Sequence, residues 1–170
     1  VEQNVYYVGR TVGSLDDVRM VLNYFRKVLS RAPRTIIVFL GNYFSLNRFD
    51  VESFTMILSF KCLFPQNVVL LRGETESRES LKTDGLKSHL KFKFGGYSDH
   101  FYKQIRRLVS MMDVIHVSHL SPNASAVATA GGIPFDPQDP QNPLTLRKVN
   151  DRIKPEHSSR KALDEVSNTI

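Results

Sequence analysis

A chain of 170 residues with formal net charge +6 suits one compact domain and can bury a sizeable core. Its hydrophobic and charged fractions, 41% and 24%, are ordinary for a globular protein. One cysteine, Cys62, excludes an internal disulfide, and no apolar run approaches the length of a membrane span.

In chain order, Val5-Tyr6-Tyr7-Val8 reads as a strand. It begins almost at the N-terminus, so no signal peptide is expected. Ser14 then stands as an N-cap, with Asp16 and Asp17 in the first turn, where acids favour the helix dipole. Leu15, Val18, Leu22, Phe25 and Leu29 recur at spacings of three and four, one apolar helix face, and Ala32-Pro33 ends it. Thr35 to Leu40 is a continuous run, β-branched or aromatic up to Phe39, and reads as a strand covered on both faces. Asp50 is expected to cap a second helix with Val51, Phe54, Ile57, Leu58 and Cys62 inward, closed by Pro65. Cys62 is thus read as a small buried thiol, in keeping with a reducing compartment. Val68 to Leu71 is a third strand.

Residues 76–96 are polar, basic and weakly periodic, and are read as short helices and loop. Tyr97 to Met112 reads as a helix with Phe101, Ile105, Leu108, Val109 and Met112 inward. Val114 to Val117 is a fourth strand, running into Ser118-His119-Leu120-Ser121-Pro122. Residues 123–143 carry four prolines and two glycines with little periodicity, the pattern of a long loop or arm. Residues 144–170 are charged and mixed, with a short helix expected near Ser159 to Val166. The division is therefore an α/β domain at 1–122, an arm at 123–143 and a charged, partly helical segment at 144–170. Strand, helix, strand, helix, strand implies a parallel sheet with flanking helices and its C-terminal strand ends on one edge.

The charge is uneven. Residues 82–110 hold seven Lys/Arg (Lys82, Lys87, Lys91, Lys93, Lys103, Arg106 and Arg107) against Asp84 and Asp99, a local +5. Phe92, Phe94, Tyr97 and Tyr102 interleave with these bases. A solvated surface is the plain reading, and a contact surface for RNA or an acidic partner is the functional one.

Three loops follow the first three strands: GRTVG at 9–13, GNYFSLN at 41–47 and GETE at 73–76. Strand ends feeding loops are where α/β proteins place metals and substrates. These loops keep glycines but lack clustered Asp and His. Their flanks are Val38-Phe39-Leu40-Gly41 with Tyr43, Phe64-Pro65 with Asn67, and Leu70-Leu71-Arg72-Gly73 running to Glu76 and Arg78; Leu120-Ser121-Pro122 comes later. On these residues the chain resembles the metal-dependent phosphoprotein phosphatases, the family of calcineurin and the type-one and type-two serine/threonine protein phosphatases. That family carries GDxHG, GDxxDRG, GNHE and HGGLSP in this order. The resemblance covers roughly residues 3–122, with a faint echo at Pro143-Leu144-Thr145-Leu146.

The resemblance implies a metallophosphoesterase α/β fold, a parallel or mixed sheet with flanking helices, present as the N-terminal part of the family's domain. It also implies where the chemistry was. The family holds two metal ions between carboxylates, imidazoles and an Asn, and a metal-bound water attacks phosphorus. Its first Asp matches Arg10, its first His Val12, its bridging Asp Asn42 and its metal-binding Asn Glu74. The Asp and Arg of DRG match Ser45 and Leu46, and the proton-donating His of GNHE matches Thr75. HGG falls at the Val117-Ser118-His119 region. Glu76, Arg72 and Tyr43 survive as supports of the loops. The family's later half, with further metal-binding His residues, has no counterpart in this reading.

Two dications need anionic oxygen or imidazole ligands at short range, and a guanidinium among them is repulsive. The expectation is a chain without metal cofactor and without phosphatase catalysis, a pseudophosphatase. Arg10 and Glu74 would then pair in forked geometry in place of a metal, tying the loops together; independent solvation of both is the competing reading.

Other constellations carry less. His89, His100, His116, His119 and His157 lack accompanying Cys and have few acids. Ser121 has no Gly-x-Ser-x-Gly setting. Gly9 to Gly13 lacks the Lys-Ser/Thr of a P-loop and the third glycine of a dinucleotide loop. The resulting expectation is a binding or structural subunit of a multi-protein assembly, with a ribonucleoprotein such as a mitochondrial ribosome among the settings. Lys87, Lys91, Lys93, Lys103, Arg106 and Arg107 form its partner surface, for protein or RNA, and no membrane is involved. An intracellular reducing compartment is expected, with mitochondrion, cytosol and nucleus all open. The alternative is a residual phosphoesterase using one metal on Glu74, Asn42 and a histidine.

Overall fold

The computed structural model describes residues 4–11, 13–45, 47–83, 85–121, 124–132, 135–136 and 139–143. Compact contacts divide the chain into two units, residues 1–130 and 131–170.

In the first unit, strands β1 (Val5–Val8), β2 (Ile36–Phe39) and β3 (Val68–Leu70) form a parallel sheet in that order. Val8 stands beside Phe39, and Phe39 beside Leu70, so all three strands end at one edge. Helix α1 (Leu15–Arg31) and helix α2 (Asp50–Leu63) make the two crossovers. A 3-10 turn at Glu74–Glu76, helix α3 (Arg78–Thr83), helix α4 (Leu86–Phe94), a second 3-10 turn at Gly95–Tyr97 and helix α5 (Ser98–Ser110) follow. The parallel sheet and its flanking helices agree with the sequence reading.

Alternation along the strands sorts the core. Tyr6, Val8, Ile37, Phe39, Val68 and Leu70 pack with Val18, Leu22, Phe25 and Leu29 of α1 and with Phe54, Ile57 and Phe60 of α2. Val5, Ile36, Val38, Val69 and Leu71 face the other way. There they meet Ala128 of β5 (Ala124–Thr129), which pairs antiparallel with β4 (Ile115–Ser121). The Tyr7 hydroxyl donates to Ser118 Oγ at 2.9 Å, joining β1 to β4. The second face is thus packed in part by this hairpin.

The sequence reading needs five corrections. Residues 124–129 are a strand rather than part of an arm, because small residues of Ala-Ser-Ala-Val-Ala-Thr can lie flat against the sheet. The unit boundary accordingly falls after Ala130 rather than at 122. Cys62 is exposed, since the buried stripe of α2 runs Ser53, Phe54, Ile57, Phe60, and Cys62 lies off that line. Asp50 is the first helical residue and not the cap; its carboxylate reaches back into the preceding loop. Phe101, placed inward by periodicity, is 40% exposed and stacks on Phe94 at a 4.4 Å centroid distance.

In the second unit the described residues form a short antiparallel pair, β6 (Phe135–Asp136) with β7 (Asp139–Pro143), where an arm was expected. The helix expected near Ser159 to Val166 lies outside the described residues. Among the described residues no helix is long and apolar enough to cross a membrane.

Candidate functional site

The three loops meet at the C-terminal edge of the parallel sheet. Close backbone approach there requires glycine. A Cβ on Gly41 (φ +93°) would stand 2.3 Å from Gly73 N, and one on Gly73 would stand 2.5 Å from Asn42 N. Asn42 itself holds φ +60°, a left-handed conformation that Asn tolerates better than most side chains. That turn aims the amides of the second loop at the third.

Glu76 receives them. It is 2% exposed, and its carboxylate accepts the N–H groups of Asn42 (2.7 Å), Tyr43 (2.8 Å), Phe44 (3.4 Å) and Gly73 (2.9 Å), together with the Thr75 hydroxyl (2.7 Å). Such bonds to an ionised acceptor are stronger than neutral ones and satisfy a buried charge. Tyr43 completes the joint: its hydroxyl donates to the Leu71 carbonyl at 3.0 Å. Burial, with the Glu76 charge beside it, pushes the Tyr43 phenol far up, so it stays a neutral donor.

Asp50 does the same at the loop's far end. Its Oδ2 accepts the N–H groups of Ser45 (3.0 Å) and Asn47 (3.1 Å). The first loop also abuts it, since a Cβ on Gly13 would lie 1.8 Å from Asp50 Oδ1. Sequence reasoning took Asp50 for a helix cap and Glu76 for a general support. For Glu76 the signal was an acid three residues after Gly73; Asp50 carried none.

The positions matched to the family's metal and catalytic residues are spread differently. Arg10, just beyond β1, and Glu74, first in its 3-10 turn, are both exposed. They do not pair: among the described residues the ion pairs are Asp16 with Arg19, Asp99 with Lys87 and Glu52 with Lys93. Two exposed flexible side chains gain little from pairing in water, and Glu76 already holds the loops. Asn42 Oδ1, the oxygen matched to a bridging metal ligand, instead accepts the Thr75 N–H at 3.2 Å. Thr75 Oγ1 is committed to Glu76. Ser45 offers its backbone to Asp50. Val12 and Leu46 lie outside the described residues.

A pair of metal ions does not fit these residues. Asn42 Oδ1, neutral where the family has a bridging carboxylate, already accepts the Thr75 amide, and Arg10 brings positive charge to the edge. Among the described residues no three His, Cys, Asp or Glu side chains converge as metal ligands. His119 Nδ1 lies 2.9 Å from Ser125 Oγ, both exposed residues of the β4–β5 hairpin.

The basic stretch is only partly free. Lys87 meets Asp99 at 2.9 Å, a contact that raises the lysine and lowers the carboxyl. Lys93 reaches across to Glu52 of α2 and lies over the Phe49 ring. Arg106 stacks over Tyr102 with 5.7 Å to its centroid. Lys91, Lys103 and Arg107 stay exposed.

No family model matches the chain. It is 30% identical over 147 residues to a probable serine/threonine-protein phosphatase of Encephalitozoon cuniculi, covering 86% of this chain and 30% of that protein. It is 30% identical over 169 residues to serine/threonine-protein phosphatase 7 of Arabidopsis thaliana, covering 96% of this chain and 39% of that protein. The chain thus spans well under half the length of these relatives. Its fold matches a Saccharomyces cerevisiae protein serine/threonine phosphatase with similarity to human phosphatase PP5, at TM-score 0.58 and 23% identity, over 87% of this chain and 42% of that one. The chain belongs, as a divergent member matching part of their length, to the serine/threonine phosphoprotein phosphatase family with its metallophosphoesterase fold.

Proposed function

We propose that this chain is a pseudophosphatase, a non-catalytic binding subunit of a larger assembly. The observation that carries this reading is the fate of the strand-end oxygens. Asn42 Oδ1, at the bridging position, accepts the Thr75 amide, and Arg10 stands where the family has its first metal-binding Asp, while Glu76, a residue the family shares, holds the loops. A loop edge cross-linked by a carboxylate keeps its shape without metals. Such a scaffold can serve recognition, and the exposed lysines and aromatics of α4 and α5 supply a surface for it.

The test is turnover of a generic aryl phosphate by the purified chain with manganese, alongside metal analysis. The reading expects no turnover above buffer and no bound metal. Chelator-sensitive hydrolysis with stoichiometric metal would instead support the alternative, a residual phosphoesterase.

A further inference from the structure

The turn between α4 and α5 is richer in exposed aromatic surface than its helices need. Phe92 is 92% exposed and Tyr97 76%. Leu86 and Leu90 form the buried face of α4, so Phe92, two residues on, points away from the core. Phe94 and Phe101 stack on one another yet stay 36% and 40% exposed. Between them Gly95 and Gly96 have nothing within 4 Å of a Cβ position, so the turn is open to an approaching chain. Among these four rings Phe94 and Phe101 stack, and Phe92 and Tyr97 flank them as separate exposed rings about one turn, a local excess of apolar surface of the kind that marks interaction sites.

The charges around the turn choose the partner. Nucleic acid binding grows with the number of phosphates neutralised. Lys87 and Lys93 are already paired with Asp99 and Glu52, and the half-buried Arg106 keeps its charge over the Tyr102 ring; outside these contacts Lys91, Lys103 and Arg107 are exposed cations along the turn's helices. A few cations beside four aromatic rings have the composition of a protein contact, an aromatic centre with a basic rim.

We infer that the α4–α5 turn is a docking site for an acidic protein segment, with apolar side chains seated on Phe92, Phe94, Tyr97 and Phe101 and flanking Asp or Glu facing Lys91, Lys103 and Arg107. This rests on the reading of the chain as a binding subunit. It concerns a surface apart from the strand-end loops, so the turnover assay tests that reading independently.

The test is selection from a random 12-residue peptide display library against the immobilised chain, followed by solution affinities of the winners. Asp and Glu should be enriched around an aliphatic or aromatic anchor. Phe92→Ala with Tyr97→Ala should weaken those peptides by about tenfold or more, as should Lys91→Glu with Lys103→Glu, while each double variant keeps the wild-type melting curve. Winners without acidic enrichment, or unchanged affinity in both double variants, overturn the proposal. So does tighter binding of a 20-nucleotide oligouridine RNA than of any selected peptide.

Discussion

Glu76 Oε1 accepts the Tyr43 amide at 2.8 Å, across 33 positions of sequence. This contact joins the loop after β2 to the loop after β3, and the other carboxylate oxygen repeats the joint through Asn42 and Gly73. Glu76→Ala would leave these buried amides without an acceptor. It is expected to cost about 3 kcal/mol or more. Glu74→Ala and Arg10→Ala, both at exposed positions, are expected to stay within about 0.5 kcal/mol of wild type. Urea unfolding of the three variants checks the contrast; equal losses at Glu74 and Arg10 would restore the ion pair expected from sequence.

Gly73 is held by contact distance. A methyl group there meets both Asn42 N and Asn42 Oδ1 at 2.5 Å. Gly73→Ala should therefore destabilise by about 1–3 kcal/mol through overpacking. Gly96→Ala, in open space, is the control, expected to be neutral or slightly stabilising by urea unfolding.

The Lys93–Glu52 pair fastens α4 to α2 and carries a pH signature. Burial works to raise the Glu52 carboxyl, but the Lys93 hydrogen bond, its own backbone amide and the charges of Lys93 and Arg48 outweigh it and hold the group low. A depressed carboxylate contributes stability above the ordinary glutamate range, and that contribution is lost as pH falls through its lowered value. The pair is partly exposed, so less than about 1 kcal/mol is expected. Glu52→Gln should be less stable than wild type at neutral pH, and the gap should close in acid. A gap independent of pH would contradict this.

Cys62 stands exposed on α2. Its thiol should react with a disulfide reagent in the native protein at close to the rate seen after denaturation. A thiol that reacts only in denaturant would return it to the core, where its apolar neighbours in sequence had placed it.

Strands and crossovers were legible because they obey short-range periodicities. Val18, Leu22, Phe25 and Leu29 marked the buried face of α1, and the β-branched run at 35–40 marked the central strand. Cys62 misled because its apolar neighbours extend the apparent stripe from Leu58 to Cys62, and only packing against the sheet chooses Phe60 instead. The strand at Ala124–Thr129 hid among small residues whose partner, β4, had to be present first. At the site, the residues matched to the family's metal and catalytic positions rest on the loop motifs. Where their oxygens went could not be read there, because Asn42 with Thr75 and Glu76 with Tyr43 are joined only through the sheet.

The central claim is that the Glu76 carboxylate and its amides hold the strand-end loops in place without bound metal ions. Melting the chain with manganese and with chelator tests this most directly, since an ion that binds the folded state raises its melting temperature. Superimposable curves, with no manganese retained after desalting, are the predicted result. A melting temperature that climbs with manganese concentration, with two ions retained per chain and loss of both effects in Asn42→Ala, would contradict the account.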